Sequence, residues 1–140
     1  MGQRRKAREA ALQLLYQTEL RGEHSPSFFA EAWESLELGP AEAREFALEL
    51  VEMTLRNVEP IDRTIAAAAE NWRLPRLSRV DLCLLRLAVC ELLYRPETPG
   101  RVVVDEAVEI ARRFSDEQAA SFVNGILDRV AHEMGRIEDR

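Results

Sequence analysis

The chain has 140 residues, 46% of them hydrophobic, and a formal net charge of −6, which is enough to bury one core without a metal or a disulfide. Its densest apolar run, Val80 to Tyr94, carries Asp81, Arg86 and Glu91 and falls short of the roughly 20 apolar residues that a membrane span requires. Gln13, Gln17 and Glu19 interrupt the N-terminal apolar positions, so no secretory leader is expected and the composition points to a soluble, cytoplasmic protein without membrane attachment.

Charge is unevenly distributed. Four of the first eight residues, Arg4, Arg5, Lys6 and Arg8, are cationic; removing them leaves 15 basic and 25 acidic residues, a balance of −10. Lys6 is the single lysine among the basic residues. A high arginine count is not in itself evidence for nucleic acid, but a cationic block at a terminus attracts polyanions, and an acidic body behind it opposes loose binding elsewhere.

Proline and glycine divide the chain into apolar-periodic blocks, none alternating with period two, so the spacing predicts an all-α fold: a single compact bundle of about seven helices spanning residues 1–140, with a basic arm over about 1–8. The first helix is predicted from about Gln3 to Leu20, with an apolar stripe of Ala7, Ala11, Leu12, Leu14 and Leu15, ending near Gly22. The second opens at Ser25-Pro26, a capping serine before a proline suited to the first helical position, and buries Phe28, Phe29, Ala32, Trp33 and Leu36. Gly39-Pro40 starts the third, with Phe46, Leu50, Met53 and Leu55 inward. Glu59-Pro60 opens the fourth, which is expected to run through Ile61, Ile65 and Ala69 to about Trp72.

After a break at Leu74-Pro75 and a turn at Arg76 to Ser78, the fifth helix, Val80 to Arg95, is apolar nearly all round because its charges at 81, 86, 91 and 95 fall on no single face. Such a helix belongs at the centre of a bundle. The sixth follows the Pro96 to Gly100 turn with Val103, Ala107, Ile110, Ala111 and Phe114, and the seventh repeats Phe122, Val123, Ile126, Leu127, Val130, Ala131 and Met134 at threes and fours. Cys83 and Cys90 are seven positions apart, about 10.5 Å on a helix, too far for a disulfide. They read as buried thiols, and with His24 and His132 distant there is no zinc spacing and no expected metal or cofactor.

Arg4, Arg5 and Arg8 lie along one side of the first helical turns, and Tyr16 returns to nearly the azimuth of Arg5 about 16 Å further on. Charge beside an aromatic platform suits single-stranded RNA, whose phosphates need donors and whose unstacked bases need flat surfaces. A solvated basic terminus, with Tyr16 plugged into the core, fits the same spacing. The cations oppose the helix dipole, so helix stability does not account for them. Further on, Ser115 and Gln118 fit a capping box. Gly125 is harder to explain, because glycine inside a helix costs about 1 kcal/mol relative to alanine. Close packing or an approaching ligand would be a reason for it.

Arg4-Arg5-Lys6-Ala7-Arg8-Glu9, Leu12-Gln13-Leu14-Leu15-Tyr16, Leu84-Leu85-Arg86-Leu87-Ala88 with Glu91-Leu92-Leu93, Asp105-Glu106-Ala107-Val108-Glu109, and Phe122-Val123-Asn124-Gly125-Ile126-Leu127-Asp128 together resemble the NusB family of bacterial transcription antitermination factors. The resemblance runs from residue 4 to about residue 131. It implies an all-helical RNA-binding factor that, with the ribosomal protein NusE, recognises boxA in nascent ribosomal RNA leader transcripts and acts indirectly with RNA polymerase and other Nus factors. By resemblance, Arg4, Arg5, Lys6 and Arg8 hold phosphates, Tyr16 lies beside the RNA path, and Phe114, Gln118, Ser121, Phe122 and Asn124 line its other side.

Two positions depart from the family pattern. Ser121 is short and neutral where a long basic or polar side chain is common, which removes one expected RNA contact. Gln118 stands where acidic residues also occur, and its neutral amide repels phosphate less, so weaker binding overall is not implied. NusE is expected on the acidic middle of the molecule, with Asp81 and Glu106 as contacts, although each also sits where a helix dipole favours an anion. Self-pairing without the partner is left open.

Two other function classes fit parts of the chain. A helical adaptor binding only protein would leave the arm idle. An enzyme would have to use Asp105, Glu106 and Glu109, which lack a neighbouring histidine, nucleophile or phosphate loop, so no catalytic residue is expected.

Overall fold

Side-chain caps open three of the helices among the described residues. The computed structural model describes residues 2–23, 25–69 and 77–137, and among them the chain forms α1 (Gly2–Arg21), α2 (Pro26–Ser35), α3 (Ala41–Arg56), α4 (Val58–Ala68), α5 (Arg79–Tyr94), α6 (Gly100–Phe114) and α7 (Glu117–Glu133). Ser25 accepts from the Phe28 N–H to start α2, and Ser78 accepts from the Asp81 N–H to start α5. At α7 the cap is Asp116, which accepts from the Ala119 N–H at 2.7 Å, while Ser115 closes the end of α6. The expected Ser115–Gln118 capping box is therefore corrected: the cap lies one residue later, and the residue three beyond it, Ala119, has no side chain to reciprocate.

α5 is the centre of the bundle and packs against α1, α3, α4, α6 and α7. Cys83 to Leu85 and Leu87 to Leu92 are all buried. Its charges are scattered because different neighbouring elements supply their counterions. Arg86 reaches Asp62 on α4 and Glu19 on α1, Glu91 receives Arg8 of α1, and Arg95 reaches Glu49 on α3. Burial pushes the thiols of Cys83 and Cys90 up to about 12 and about 11, and both are free.

α1 differs from a surface helix with a single apolar stripe. Ala7 to Leu12, Arg8 and Glu9 included, together with Leu14 and Leu15, are buried. In α2, Phe28, Phe29, Ala32 and Trp33 face the core as expected, but Leu36 is 40% exposed. The helix ends at Ser35, the chain turns through Glu37 at φ +50°, and Leu38 enters the core instead. Of the expected fourth helix, α4 ends at Ala68; Trp72, and the break at Leu74, Pro75 and Arg76, lie outside the described residues.

α6 and α7 form a helical hairpin whose far end is tied back to α5. The Arg136 guanidinium donates to the carbonyls of Leu92, Arg95 and Thr98. Gly100 permits this closure, since a Cβ there would stand 2.4 Å from the Arg136 carbonyl oxygen. No helix among the described residues is long and apolar enough to cross a membrane.

Candidate functional site

The four cations of the arm meet different environments within one and a half turns of α1. Arg4 and Lys6 are exposed, and neither has a carboxylate partner among the described residues. Arg4 instead lies over the ring of Phe46 on α3, 4.1 Å from its centroid. Arg5 makes a two-pronged bond to Glu106 of α6, at 2.5 and 2.9 Å. That hydrogen bond raises the arginine pKa and, from the other side, holds the Glu106 carboxyl below its ordinary range.

Arg8 points into the molecule. Its side chain is 8% exposed, and its fork meets the 2%-exposed Glu91 at 2.8 and 2.9 Å. The expectation that Arg8 faces phosphate is at odds with this placement, since its charge is already matched inside the core. Glu106, expected at a partner surface, likewise has its carboxylate engaged by Arg5 of its own chain and its side chain only 13% exposed. Asp81 is partly buried, and its Oδ1 is buried with no hydrogen-bond partner among the described residues.

A second ion pair joins the arm to the α6–α7 corner, where Arg113 donates to Glu9 at 3.1 Å. The pairings Arg5–Glu106 and Glu9–Arg113 advance together, so α1 and α6 run in the same general direction along this flank. Tyr16 is partly exposed. It lies seven residues past Glu9, about 10 Å further along α1 and at nearly the same azimuth. Phe114, beside Arg113 at the end of α6, is 37% exposed.

On α7, Gln118, Ser121 and Asn124 are exposed, while Phe122 is half-buried and packs against the core. Arg112 braces the corner by donating to Glu109 in the last turn of α6 and to Glu117 in the first turn of α7. Each member of the Asp105, Glu106 and Glu109 cluster thus has an arginine nearby: Arg101 at 4.0 Å, Arg5 at 2.5 Å and Arg112 at 2.5 Å.

Gly125 sharpens the picture. It is exposed in the middle of α7, and a Cβ added there would meet no atom within 4 Å. Packing within the chain therefore does not require this glycine, whereas it does require Gly100. The pairings that position the site, Arg8 with Glu91 and Glu9 with Arg113, carry no local sequence signal, because the partners lie 83 and 104 positions apart. Phe46 is readable as a core residue of the third helix but not as the ring under Arg4.

This arrangement defines an all-helical bundle whose N-terminal helix presents unneutralised cations next to a corner of exposed polar and aromatic side chains. The NusB family model matches residues 5–132. The Transcription antitermination protein NusB of Sorangium cellulosum is 44% identical over 138 residues, covering 99% of this chain and 98% of that protein. Among solved structures, the antitermination factors NusB and NusE in complex with dsRNA superpose with a TM-score of 0.81 at 34% identity, covering 95% of this chain and 98% of that one. T. maritima NusB superposes at 0.78 with 39% identity, over 93% and 91% of the two chains. The chain belongs to the NusB family.

Proposed function

We propose that this protein is a non-enzymatic, cytoplasmic, RNA-binding transcription antitermination factor that pairs with the ribosomal protein NusE and recognises boxA-type RNA. Near-full-length membership of a family of antitermination proteins supports the reading, as does a related NusB and NusE assembly that holds RNA. The observation that carries it on this chain is the pair of uncompensated cations, Arg4 and Lys6, on a helix locked to the α6–α7 corner by Arg5–Glu106 and Glu9–Arg113.

In this reading Arg4 and Lys6 take phosphates, with Arg5 joining from its partly exposed position. Tyr16 and Phe114 offer flat surfaces to bases, and Gln118, Ser121 and Asn124 offer hydrogen bonds along α7. Phe122 fixes the α7 backbone from below. Gly125 lets the RNA backbone approach the helix closely. Arg8 acts from inside, anchoring the arm to α5 through Glu91. Asp81, partly buried in the first turn of α5, contributes negative charge to the face that meets a basic protein such as NusE, and Glu106 serves by holding Arg5.

The test is fluorescence anisotropy with a labelled boxA RNA, a scrambled RNA of equal length and a duplex control, each with and without NusE. The expected outcome is preference for the boxA strand and tighter binding with NusE. Equal binding of all three RNAs would reject boxA recognition, and NusE binding with no RNA binding would favour a protein-only adaptor.

A further inference from the structure

Three guanidinium groups converge on one aromatic ring. The Cζ atoms of Arg4, Arg95 and Arg8 stand 4.1, 4.9 and 5.5 Å from the centroid of Phe46, a residue only 8% exposed on α3. Two of these cations are compensated: Arg8 by Glu91 at 2.8 Å, and Arg95 by Glu49 at 2.8 Å with Glu97 at 3.6 Å. Arg4 is the closest to the ring, is exposed, and has no carboxylate within ion-pair distance among the described residues. Core packing explains a phenylalanine here, but any apolar side chain of similar volume would provide that. It does not explain why the one unpaired arginine of the group rests on the ring.

We propose that Phe46 is the positioning residue of the basic arm. The negative face of the ring holds the Arg4 guanidinium in one place. An arginine stacked in this way keeps its in-plane N–H donors for another acceptor, and a phosphate matches that fork with two parallel bonds. A free terminal arginine samples many rotamers and loses them on binding; Arg4 has already lost part of that freedom in the unbound protein. Phe46 also reports on the interior, because Arg8 and Arg95 flank the same ring. The arm is thereby referenced to α5 through Arg8–Glu91 and to α3 through Phe46. This inference rests on the RNA-binding reading above and names how one contact of that site is prepared.

A double-mutant cycle with the labelled boxA RNA tests it, using wild type, Arg4→Ala, Phe46→Leu and the double variant, with circular dichroism to verify folding. Phe46→Leu is expected to weaken binding about two- to fivefold, the range of an exposed cation–π contact. The double variant is expected to bind no more weakly than Arg4→Ala alone, and the salt dependence of Phe46→Leu to shift toward that of Arg4→Ala. Phe46→Tyr keeps the ring and is expected to bind as wild type. Independent, multiplicative losses would overturn the proposal, as would a Phe46→Leu protein that binds as wild type.

If Phe46→Leu does not fold, the nuclear magnetic resonance of the wild-type protein decides. The Arg4 Hδ protons are expected upfield from the ring current with and without RNA, and random-coil shifts would overturn the proposal. Wild-type binding that Arg4→Ala leaves intact rejects the Phe46 platform while the RNA reading survives. No boxA binding by wild type, with or without NusE, rejects the reading itself and the platform with it.

Discussion

Arg4 and Arg8 are one helical turn apart on α1, yet they belong to two different regions of the molecule. Around Arg8 the charge is closed: a two-pronged bond to Glu91, both side chains under 10% exposed, inside a ring of apolar residues from α3, α5 and α6. Around Arg4 and Lys6 the charge is open: among the described residues Arg4 has only a ring and Lys6 has no carboxylate partner. A count of basic residues in the arm therefore overstates its uncompensated charge. What matters is how many of those cations lack an internal counterion.

The largest expected effect lies in the closed region. Glu91→Ala leaves a buried guanidinium unpaired and is expected to destabilise the protein by about 3–5 kcal/mol, read by urea unfolding. Replacing both partners, Arg8→Met with Glu91→Leu, is expected to recover most of that loss, because the desolvation of both charges is removed together. A mild effect of Glu91→Ala alone would mean that the pair is not closed from water.

Next in size is the contrast between two glycines. Gly100→Ala drives a Cβ to 2.4 Å from a backbone oxygen and is expected to cost about 1–3 kcal/mol as α7's end is forced away. Gly125→Ala meets open space and is expected to stabilise α7 by up to about 1 kcal/mol. The same substitution is expected to weaken RNA binding, so thermal stability and affinity move in opposite directions. If Gly125→Ala raised stability and left affinity unchanged, the close approach of RNA to α7 would be wrong.

The smallest effect concerns Arg5–Glu106. Arg5 lowers the Glu106 pKa in the folded state, so the pair's stabilisation is fully present above the ordinary glutamate value of 4.5 and is lost as pH falls through the lower, folded value. The difference in melting temperature between wild type and Glu106→Gln is accordingly expected to be largest above about pH 5 and to shrink in acid. A difference that stays constant between pH 7 and 3 would place the origin elsewhere. At neutral pH the loss is expected to be under about 1 kcal/mol, since Arg5 is partly solvated.

The helices were legible in the sequence because periodicity and capping residues are local. Ser25, Ser78 and the Pro-Gly breaks sit at or beside the observed ends, and α5 was readable as central because its charges share no face. Three features escaped. Leu36 reads as core by spacing but follows the helix end, and the left-handed Glu37 hands its place to Leu38. Asp116 and Ser115 are both competent caps, and only backbone geometry decides between them. Arg8 and Glu9 look like surface charges of an exposed arm, yet their counterions come from α5 and α6, and no local pattern announces a contact across 83 or 104 residues. For the same reason Glu106 was readable as a charged site but not as the partner of Arg5.

The most direct measurement is the salt dependence of boxA RNA binding, compared between wild type and Arg4→Ala with Lys6→Ala. Two open cations contribute about −1.4 to the slope of log K against log salt, at about −0.7 per phosphate on a single strand. The variant is expected to flatten the slope by that amount while its melting temperature stays near wild type. An unchanged slope in a folded variant would contradict the claim that the open end of α1 holds the RNA.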